Sequence, residues 1–248
     1  MLTLGVDLAA ADVRTATASI RWSSGRAVVH SVDLGASDEQ ILATLPDADK
    51  VGLDCPLGWP EPFVAFLTAH RAGHVSPPPD DAAAWRRSLA YRTTDEVVRA
   101  ETGLVPLSVA ADRIGHAAFR CAGLLARLAE RGRPVDRCGD GRLVEVYPAA
   151  SLLRWGLTHR GYKTPGQKTG PNLLVDELLA AAPWLDLGPH EQTCRTSHDA
   201  FDAVIAALTA RAAALGHASR PDDRQRRLAC TEGWIALPTG ALTELATG

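Results

Sequence analysis

Five acidic residues occupy positions from which separate elements of this chain could bring their side chains together. Asp7 lies in the first predicted strand, Asp54 near the end of the fourth and Glu145 in the fifth. Asp199 and Asp202 stand at the start of a late helix. Ligand sites in α/β sheets lie where strands end and loops begin, next to a switch in strand order. Mg²⁺ prefers oxygen ligands and commonly takes one or two carboxylates together with waters and a substrate phosphate. The pattern therefore predicts a site for Mg²⁺ or Mn²⁺.

Such a site suits the hydrolysis of a phosphodiester. Two metal ions roughly 3.5–4 Å apart can hold the attacking and the leaving oxygen of an in-line displacement. In this hypothesis Asp7 and Asp54 hold or bridge the metals. Asp199 and Asp202 complete the ligand set, and Glu145 holds a metal or a water.

Four of the five acids also have a structural explanation. An aspartate at the end of a strand, such as Asp7 or Asp54, often stabilises a turn through its side chain. Glu145 lies between two valines, as the solvent-facing residue of a half-buried strand would. Asp199 stands near a helix start, where the helix dipole favours an acid by about 0.3–1 kcal/mol. These four positions therefore stay open between a structural and a metal-binding role.

Asp202 is harder to explain without a ligand. In the segment "SHDAFDAVIAALTARAAAL" (197–215), helical spacing places Asp202 on a stripe of alanines and the larger apolar residues on the opposite stripe. Neither stripe is polar in the first three turns, and a buried carboxylate is costly unless it is paired or bound to a metal. The alternative is a buried salt bridge with His198, Arg195 or Arg92. The alanines also predict that this helix lies very close to another element.

The order of predicted elements determines how these acids are positioned. Apolar or alternating runs rich in β-branched residues predict strands, and amphipathic spacing after a start signal predicts helices. Short links between the first three strands predict an antiparallel meander, and a helical crossover makes the fourth strand parallel to the first. The expected strands are 2–8, 14–22, 26–34, 50–58, 142–148 and 233–238, and the expected helices are 37–45, 107–132, 173–185 and 197–215.

The chain is expected to form a single α/β domain over residues 1–248, around a mixed five-stranded sheet in the order β-β-β-α-β-α-β-α. Residues 70–107 interrupt this order. They contain the breaker cluster "HVSPPPDD" and the polar, arginine-rich, partly helical stretch 82–103. Because irregular segments of this length are uncommon unless they are functional, we interpret 70–107 as an insertion or lid.

The composition argues against several classes of protein. The 26 Lys and Arg and the 29 Asp and Glu give a net charge of −3, whereas proteins that bind long stretches of nucleic acid non-specifically are usually basic. A local basic patch for nucleic acid stays open. The five scattered cysteines form no C-x-x-C pair and indicate neither a disulfide framework nor a zinc site. Without a signal-like start or a long apolar run, we expect a cytoplasmic protein that does not enter the membrane.

Seven short segments of the chain together resemble one family. They are "GVDLAA", "GLDCPLGWP", "YRTTDE", "EVYPAASLL", "GYK", "HDAFDAVIAAL" and "EGWIALP", and the resemblance covers residues 4–238. The segments are similar to those of an uncharacterised family described as predicted RNase H-like nucleases (domain of unknown function 429). The late D-x-x-D-A pair is similar to that of RuvC-type Holliday-junction resolvases. The resemblance implies a ribonuclease H-like fold whose acidic centre consists of Asp7, Asp54, Glu145, Asp199 and Asp202.

The same resemblance implies three further polar positions, at Arg92, Asp95 and Lys163. A cation beside an acidic metal centre suits a phosphate-bearing substrate, since arginine can bind phosphate through two parallel hydrogen bonds and lysine acts as a point charge. Arg92 could instead form a salt bridge that holds the insertion in place. Lys163 could be a solvated loop residue. Phosphate binding by Arg92 and by Lys163 therefore each have a structural alternative.

Three functions are compatible with these features to different degrees. The first is the Mg²⁺- or Mn²⁺-dependent hydrolysis of phosphodiesters by a nuclease. The second is an ATP-using relative of the sugar-kinase or actin-like kind, but the corresponding hairpin here, "AAADVR" (9–14), has no glycine. The third is a non-catalytic protein that binds nucleic acid or another partner. The net charge fits this function, but the cost of burying several like charges without a counter-ion argues against it. A serine hydrolase is not supported, since no G-x-S-x-G elbow occurs, and Cys55 is better explained by packing.

Overall fold

A mixed β-sheet organises the protein. The computed structural model describes residues 1–74, 76, 78–110, 112–161 and 170–247. The sheet has the order β5-β4-β1-β2-β3-β6, with β1 antiparallel to β2 and parallel to β4. The strands are β1 Leu2–Asp7, β2 Ala16–Ser23, β3 Arg26–Leu34, β4 Lys50–Asp54, β5 Leu143–Glu145 and β6 Leu185–Asp186.

Ten α-helices accompany the sheet in the described part of the chain. The chain also contains short 3₁₀ turns, one of which, Asp12–Arg14, lies between β1 and β2. The helices are α1 Asp38–Thr44, α2 Glu61–Arg71, α3 Ala82–Ala90, α4 Thr93–Thr102, α5 Asp112–Glu130, α6 Pro148–Arg154, α7 Pro171–Ala181, α8 Glu191–Thr196, α9 His198–Ala214 and α10 Arg226–Glu232. The chain is thus of the α/β class, as the sequence predicts.

The first half of the sheet has the expected topology. Strands β1, β2 and β3 form the predicted antiparallel meander. Helix α1 begins with a capping box, in which Ser37 and Gln40 each accept a hydrogen bond from the other's backbone N–H through their side chains. It leads into β4, which pairs in parallel with β1. This pairing places the carboxyl ends of β1 and β4 side by side.

The edges of the sheet differ from the expectation of five strands. A sixth strand, β6, pairs in parallel with β3, and its two residues are too few to produce a periodic sequence pattern. The expected strand at 233–238 is not formed as a strand. Ile235 makes an isolated bridge to Glu145, and Pro238 makes another to Ala218.

The segment interpreted as an insertion or lid, 70–107, divides into two parts. Helix α3 has no buried residue, and neither does α2, which the sequence pattern did not predict. Helix α4, in contrast, buries Thr94, Asp95 and Val98. The stretch that contains α4 is therefore packed into the body of the protein, where its buried polar side chains form hydrogen bonds.

Apolar cores lie on both faces of the sheet. One contains residues of β2 together with Phe201, Val204 and Leu208 of α9. The other contains residues of β1 and β4 together with Ile41 of α1 and Leu124 of α5. Every residue of α9 from Ala200 to Ala212 is buried, which confirms the buried helix expected from the sequence.

Cys138 and Cys230 form a disulfide that closes a sequence separation of 92 residues. This corrects the expectation from the cysteine pattern, since two cysteines so far apart in sequence show no spacing that would reveal their contact. Cys55, Cys121 and Cys194 are free and buried. None of the helices in the described ranges is long and apolar enough to cross a membrane. The cytoplasmic location stays a prediction.

Candidate metal centre

Three aspartates from three elements converge at one end of the sheet. Asp7 ends β1, Asp54 ends β4, and the two residues are direct partners in the parallel ladder. Asp202 lies in the second turn of α9. Each of the three offers one carboxylate oxygen, and these oxygens all lie within 4.8 Å of one another.

Two glycines bring α9 close enough for this convergence. Gly5 of β1 and Gly52 of β4 are partners in the parallel ladder, two residues before Asp7 and Asp54. Since alternate residues of a strand face the same side, the two aspartates lie on the face of the sheet where the glycines leave room. A Cβ added to Gly52 would lie 2.3 Å from the Ala206 carbonyl oxygen. The helix backbone therefore lies directly on the strands, as the alanine stripe predicted.

The donor set fits a divalent cation. Asp202 is fully buried, whereas Asp7 and Asp54 are partly exposed and line a cleft of about 390 Å³. Carboxylate oxygens are the ligands that Mg²⁺ and Mn²⁺ prefer. Three carboxylates at this separation repel one another, and a bound cation relieves that repulsion. The open side of the cleft leaves room for waters or a substrate oxygen as further ligands.

Glu145, also predicted for the acidic centre, is not part of this group of three. Its two carboxylate oxygens accept hydrogen bonds from Nη1 and Nη2 of Arg92, at 2.8 and 2.7 Å. One of them also accepts a hydrogen bond from the backbone N–H of Leu57 at 3.0 Å. Burial raises the pKa of Glu145, and the charge of Arg92 opposes this shift. Because Leu57 follows Asp54 by three residues, Glu145 holds the turn that leads away from the three aspartates.

Arg92 is buried between two carboxylates. It pairs with Glu145 and, through Nε and Nη2, with Asp95 at 3.1 and 2.9 Å. Burial by itself lowers the pKa of Arg92, but the charges and hydrogen bonds of Glu145 and Asp95 raise it above its ordinary value. The salt bridge that the sequence left as an alternative for Arg92 is therefore present. It joins the N-terminus of α4 to β5.

Glu232, the first residue of the segment "EGWIALP", was given no role from the sequence and extends this network. Its carboxylate accepts hydrogen bonds from the backbone N–H groups of Glu61 and Thr93, at 2.9 and 2.8 Å. These residues begin α2 and α4, where backbone N–H groups lack partners within the helix. Its own carbonyl oxygen accepts a hydrogen bond from Arg92 at 3.1 Å. The local sequence does not reveal this role of Glu232, because its partners lie about 140 to 170 residues away in sequence.

Asp199 lies one helical turn before Asp202 but has different partners. Its carboxylate accepts hydrogen bonds from Nε and Nη2 of Arg14, at 3.0 and 3.2 Å. Nδ1 of His198 lies 2.8 Å from the same carboxylate. Asp199 is outside the group of three carboxylates among the described residues. Lys163, the predicted phosphate-binding lysine, lies outside the described residues.

The three side chains that could have paired with Asp202 each pair with another acid. Arg195 contacts Asp176 and Glu191. His198 contacts Asp199, and Arg92 contacts its own two carboxylates. The sequence alternative of a salt bridge from these residues to Asp202 is therefore not the arrangement in the described structure.

The cleft beside the aspartates has both polar and apolar walls. Tyr147 and His159, which sequence reasoning did not select, line it together with Arg92 and Glu145. Leu107 also lines it, although 46% of this residue is exposed. A substrate in this cleft would therefore meet the aspartates at one end and ring or apolar side chains along the walls.

Comparison with known proteins identifies the family of this chain. No curated protein matches the chain, and no solved structure matches it. The model of one family, described as "Protein of unknown function (DUF429)", matches residues 5–226. This range contains the three converging aspartates as well as Glu145 and Asp199. The chain belongs to the DUF429 family.

Proposed function

We propose that this protein is a divalent-metal-dependent nuclease that hydrolyses phosphodiester bonds. The observation that carries the proposal is the convergence of Asp7, Asp54 and Asp202, whose carboxylate oxygens lie within 4.8 Å of one another beside an open cleft. Carboxylates in such an arrangement hold Mg²⁺ or Mn²⁺ together with a substrate phosphate. We further propose that the fold is ribonuclease H-like. The antiparallel meander, the helical crossover, and the parallel pairing of β4 with β1 and of β5 with β4 support this fold.

Each acidic side chain would have a distinct role in this reaction. Asp7, Asp54 and Asp202 would hold the metal, and the partly exposed Asp7 and Asp54 would face the substrate. When bound there, Mg²⁺ or Mn²⁺ lowers the pKa of an attacking water and stabilises the charge that develops on the phosphoryl oxygens. Glu145 would act as a positioning residue, because it and Arg92 fix the turn after Asp54. Metal binding by the aspartates and positioning by Glu145 both require fixed side chains, and the buried hydrogen bonds of Glu145 and Arg92 restrict their movement.

The net charge of −3 favours local contact with a short stretch of nucleic acid over binding along a long duplex. The cleft of about 390 Å³ is of a size that accepts a nucleotide and its flanking phosphate. A nuclease of this kind would recognise a small part of its substrate.

The proposal is tested by incubating the purified protein with fluorescein-labelled single-stranded DNA, duplex DNA, RNA and a four-way junction. Cleavage is expected with Mn²⁺ or Mg²⁺ and not with EDTA. Asp7→Asn and Asp202→Asn should abolish it, and Asp33→Asn, at an exposed acid of β3, should not. Cleavage that survives Asp7→Asn, or no cleavage of any substrate with either metal, would overturn the proposal. Metal-dependent binding without cleavage would favour the non-catalytic alternative.

A further inference from the structure

Arg14 lies just beyond the carboxyl end of β1. In the ladder between β1 and β2, Ala16 is the partner of Asp7. Arg14 precedes Ala16 by two residues and ends the 3₁₀ turn Asp12–Arg14. Arg14 thus lies just before the part of β2 that pairs with Asp7, the residue of β1 that belongs to the proposed metal centre.

Asp199 orients the guanidinium group of Arg14. The carboxylate takes Nε and Nη2 side by side, at 3.0 and 3.2 Å, which is the bidentate geometry of a strong arginine–carboxylate pair. Nε2 of His198 lies 3.4 Å from Nη2. Among the described residues, Nη1 of Arg14 makes no hydrogen bond. Its side chain is 58% exposed, so the Nη1 edge can bind an anion from solution.

The neighbouring arginines are already occupied. Arg92 is buried between two carboxylates. Arg120 pairs with Asp12 and Asp38 and donates to backbone carbonyls, one of them that of Ala9. Its contacts hold the loop after β1. Arg14 therefore differs from both, since it combines a fixed orientation with an exposed donor edge.

The charge of the metal centre reaches Arg14. The hydrogen bond and the charge of Asp199 raise the pKa of this arginine, and the charge of Asp7 adds to the shift. Arg14 thus stays charged within the electrostatic range of Asp7. An ion pair whose arginine is largely exposed to solvent contributes little to stability, so the pairing of Arg14 with Asp199 is better explained by orientation than by folding.

We propose that Arg14 binds the phosphoryl group of the substrate and that Asp199 is a positioning residue that orients Arg14. This inference rests on the proposed function, because the anion is the phosphodiester that the three aspartates would act upon. The Nη1 edge of Arg14 would donate to non-bridging phosphoryl oxygens. The cation would also offset the repulsion between the substrate and the carboxylates.

The test measures binding and cleavage separately. Binding of a short fluorescein-labelled single-stranded DNA is followed by fluorescence anisotropy with Ca²⁺, and cleavage is followed with Mn²⁺. The variants are Arg14→Ala, Arg14→Lys, Asp199→Asn and the double variant Arg14→Ala/Asp199→Asn. Arg26→Ala is the matched control, because Arg26 also forms an exposed pair with an aspartate, Asp186, at the distant edge of β3 and β6.

Arg14→Ala should weaken DNA binding about 10- to 100-fold, the range expected for the loss of one hydrogen-bonded charge pair. Arg14→Lys should recover part of this loss, and Arg26→Ala should lose little. Asp199→Asn should weaken binding in the wild-type background but not in the Arg14→Ala background, because it acts through Arg14. The rise in Tm with Mn²⁺ should survive Asp199→Asn.

Three results of the binding and stability measurements would overturn the inference. They are no DNA binding by the wild-type protein, unchanged binding by Arg14→Ala, and loss of the Mn²⁺ effect in Asp199→Asn, which would make Asp199 a metal ligand. The cleavage measurement distinguishes this inference from the proposed function. Binding that depends on Arg14 without any cleavage would overturn the hydrolysis alone. Cleavage that is unaffected by Arg14→Ala would overturn the role of Arg14 alone.

Discussion

Gly5 of β1 lies so close to Ala203 of α9 that an added Cβ would stand 1.9 Å from the Ala203 carbonyl oxygen. The same Cβ would lie 2.4 Å from the backbone nitrogen of Ala207. Since Asp202 precedes Ala203 and Asp7 follows Gly5 by two residues, this contact also sets the distance between two of the three aspartates. The convergence of the three aspartates thus depends on a position where only glycine fits.

Gly5→Ala should destabilise the protein and weaken metal binding, because α9 must move away from the sheet. We expect a loss of about 1–3 kcal/mol or more in the free energy of unfolding, as for other overpacked cores. Urea denaturation measures this loss. Gly123→Ala is the matched control, since a Cβ there meets nothing within 4 Å and alanine favours a helix by about 0.5–1 kcal/mol. Equal effects of the two substitutions would contradict the proposed packing.

Asp202→Asn should abolish stabilisation by metal while leaving the fold intact. Wild-type protein with Mn²⁺ at 100 times its Kd should gain about 2.7 kcal/mol, because a ligand that binds only the folded state stabilises it. Because asparagine keeps the size and shape of the aspartate side chain, the variant should still unfold cooperatively without metal. Thermal denaturation with Mn²⁺ and with EDTA checks both statements. Asp33→Asn should respond to Mn²⁺ as the wild type does, and an unchanged response in Asp202→Asn would show that Asp202 is not a ligand.

Arg92→Leu should cost about 3–5 kcal/mol, the usual penalty for breaking a buried ion pair from one side. The substitution leaves the buried carboxylates of Asp95 and Glu145 without their shared cation. Urea denaturation of the variant measures the cost. Arg26→Ala, which breaks an exposed pair, should change stability little. A similarly small effect of Arg92→Leu would mean that the buried network does not support the fold.

Cys194 should make stability fall at alkaline pH. Burial, with a smaller contribution from the charge of Glu191, raises the pKa of this thiol to about 12 in the folded protein. An unfolded cysteine has a pKa of about 8.5. Between these values the folded state keeps a proton that the unfolded state has lost. The contribution of Cys194 to the free energy of unfolding therefore falls as pH rises, by up to about 1.4 kcal/mol per pH unit.

This pH effect is measured by comparing the wild type with Cys194→Ala in urea at neutral pH and at pH values between those two pKa values. The difference at neutral pH gives the packing cost of the substitution, which serves as the control. The variant should lose less stability than the wild type as pH rises. Parallel losses in the two proteins would show that the thiol of Cys194 is not shielded as described.

Much of the sheet could be predicted from local patterns. Alternating and β-branched residues predict the first three strands, and the capping residues at Ser37 predict the helix that leads to β4. The continuous run of apolar residues predicts that α9 is buried. Strand β6 could not be found in this way, because two residues show no period. The segment 233–238 has an apolar pattern but pairs only at single bridges.

Local spacing was enough to predict which acids stand at the ends of elements, because the positions of side chains along a strand or helix depend on neighbouring residues alone. It could not determine which of them meet. Asp199 and Asp202 are one turn apart on the same helix, yet one pairs with Arg14 and the other joins Asp7 and Asp54. This difference arises from long-range packing. The partners of a charge are set by contacts between residues distant in sequence, here by the close packing of α9 on the two glycine-bearing strands.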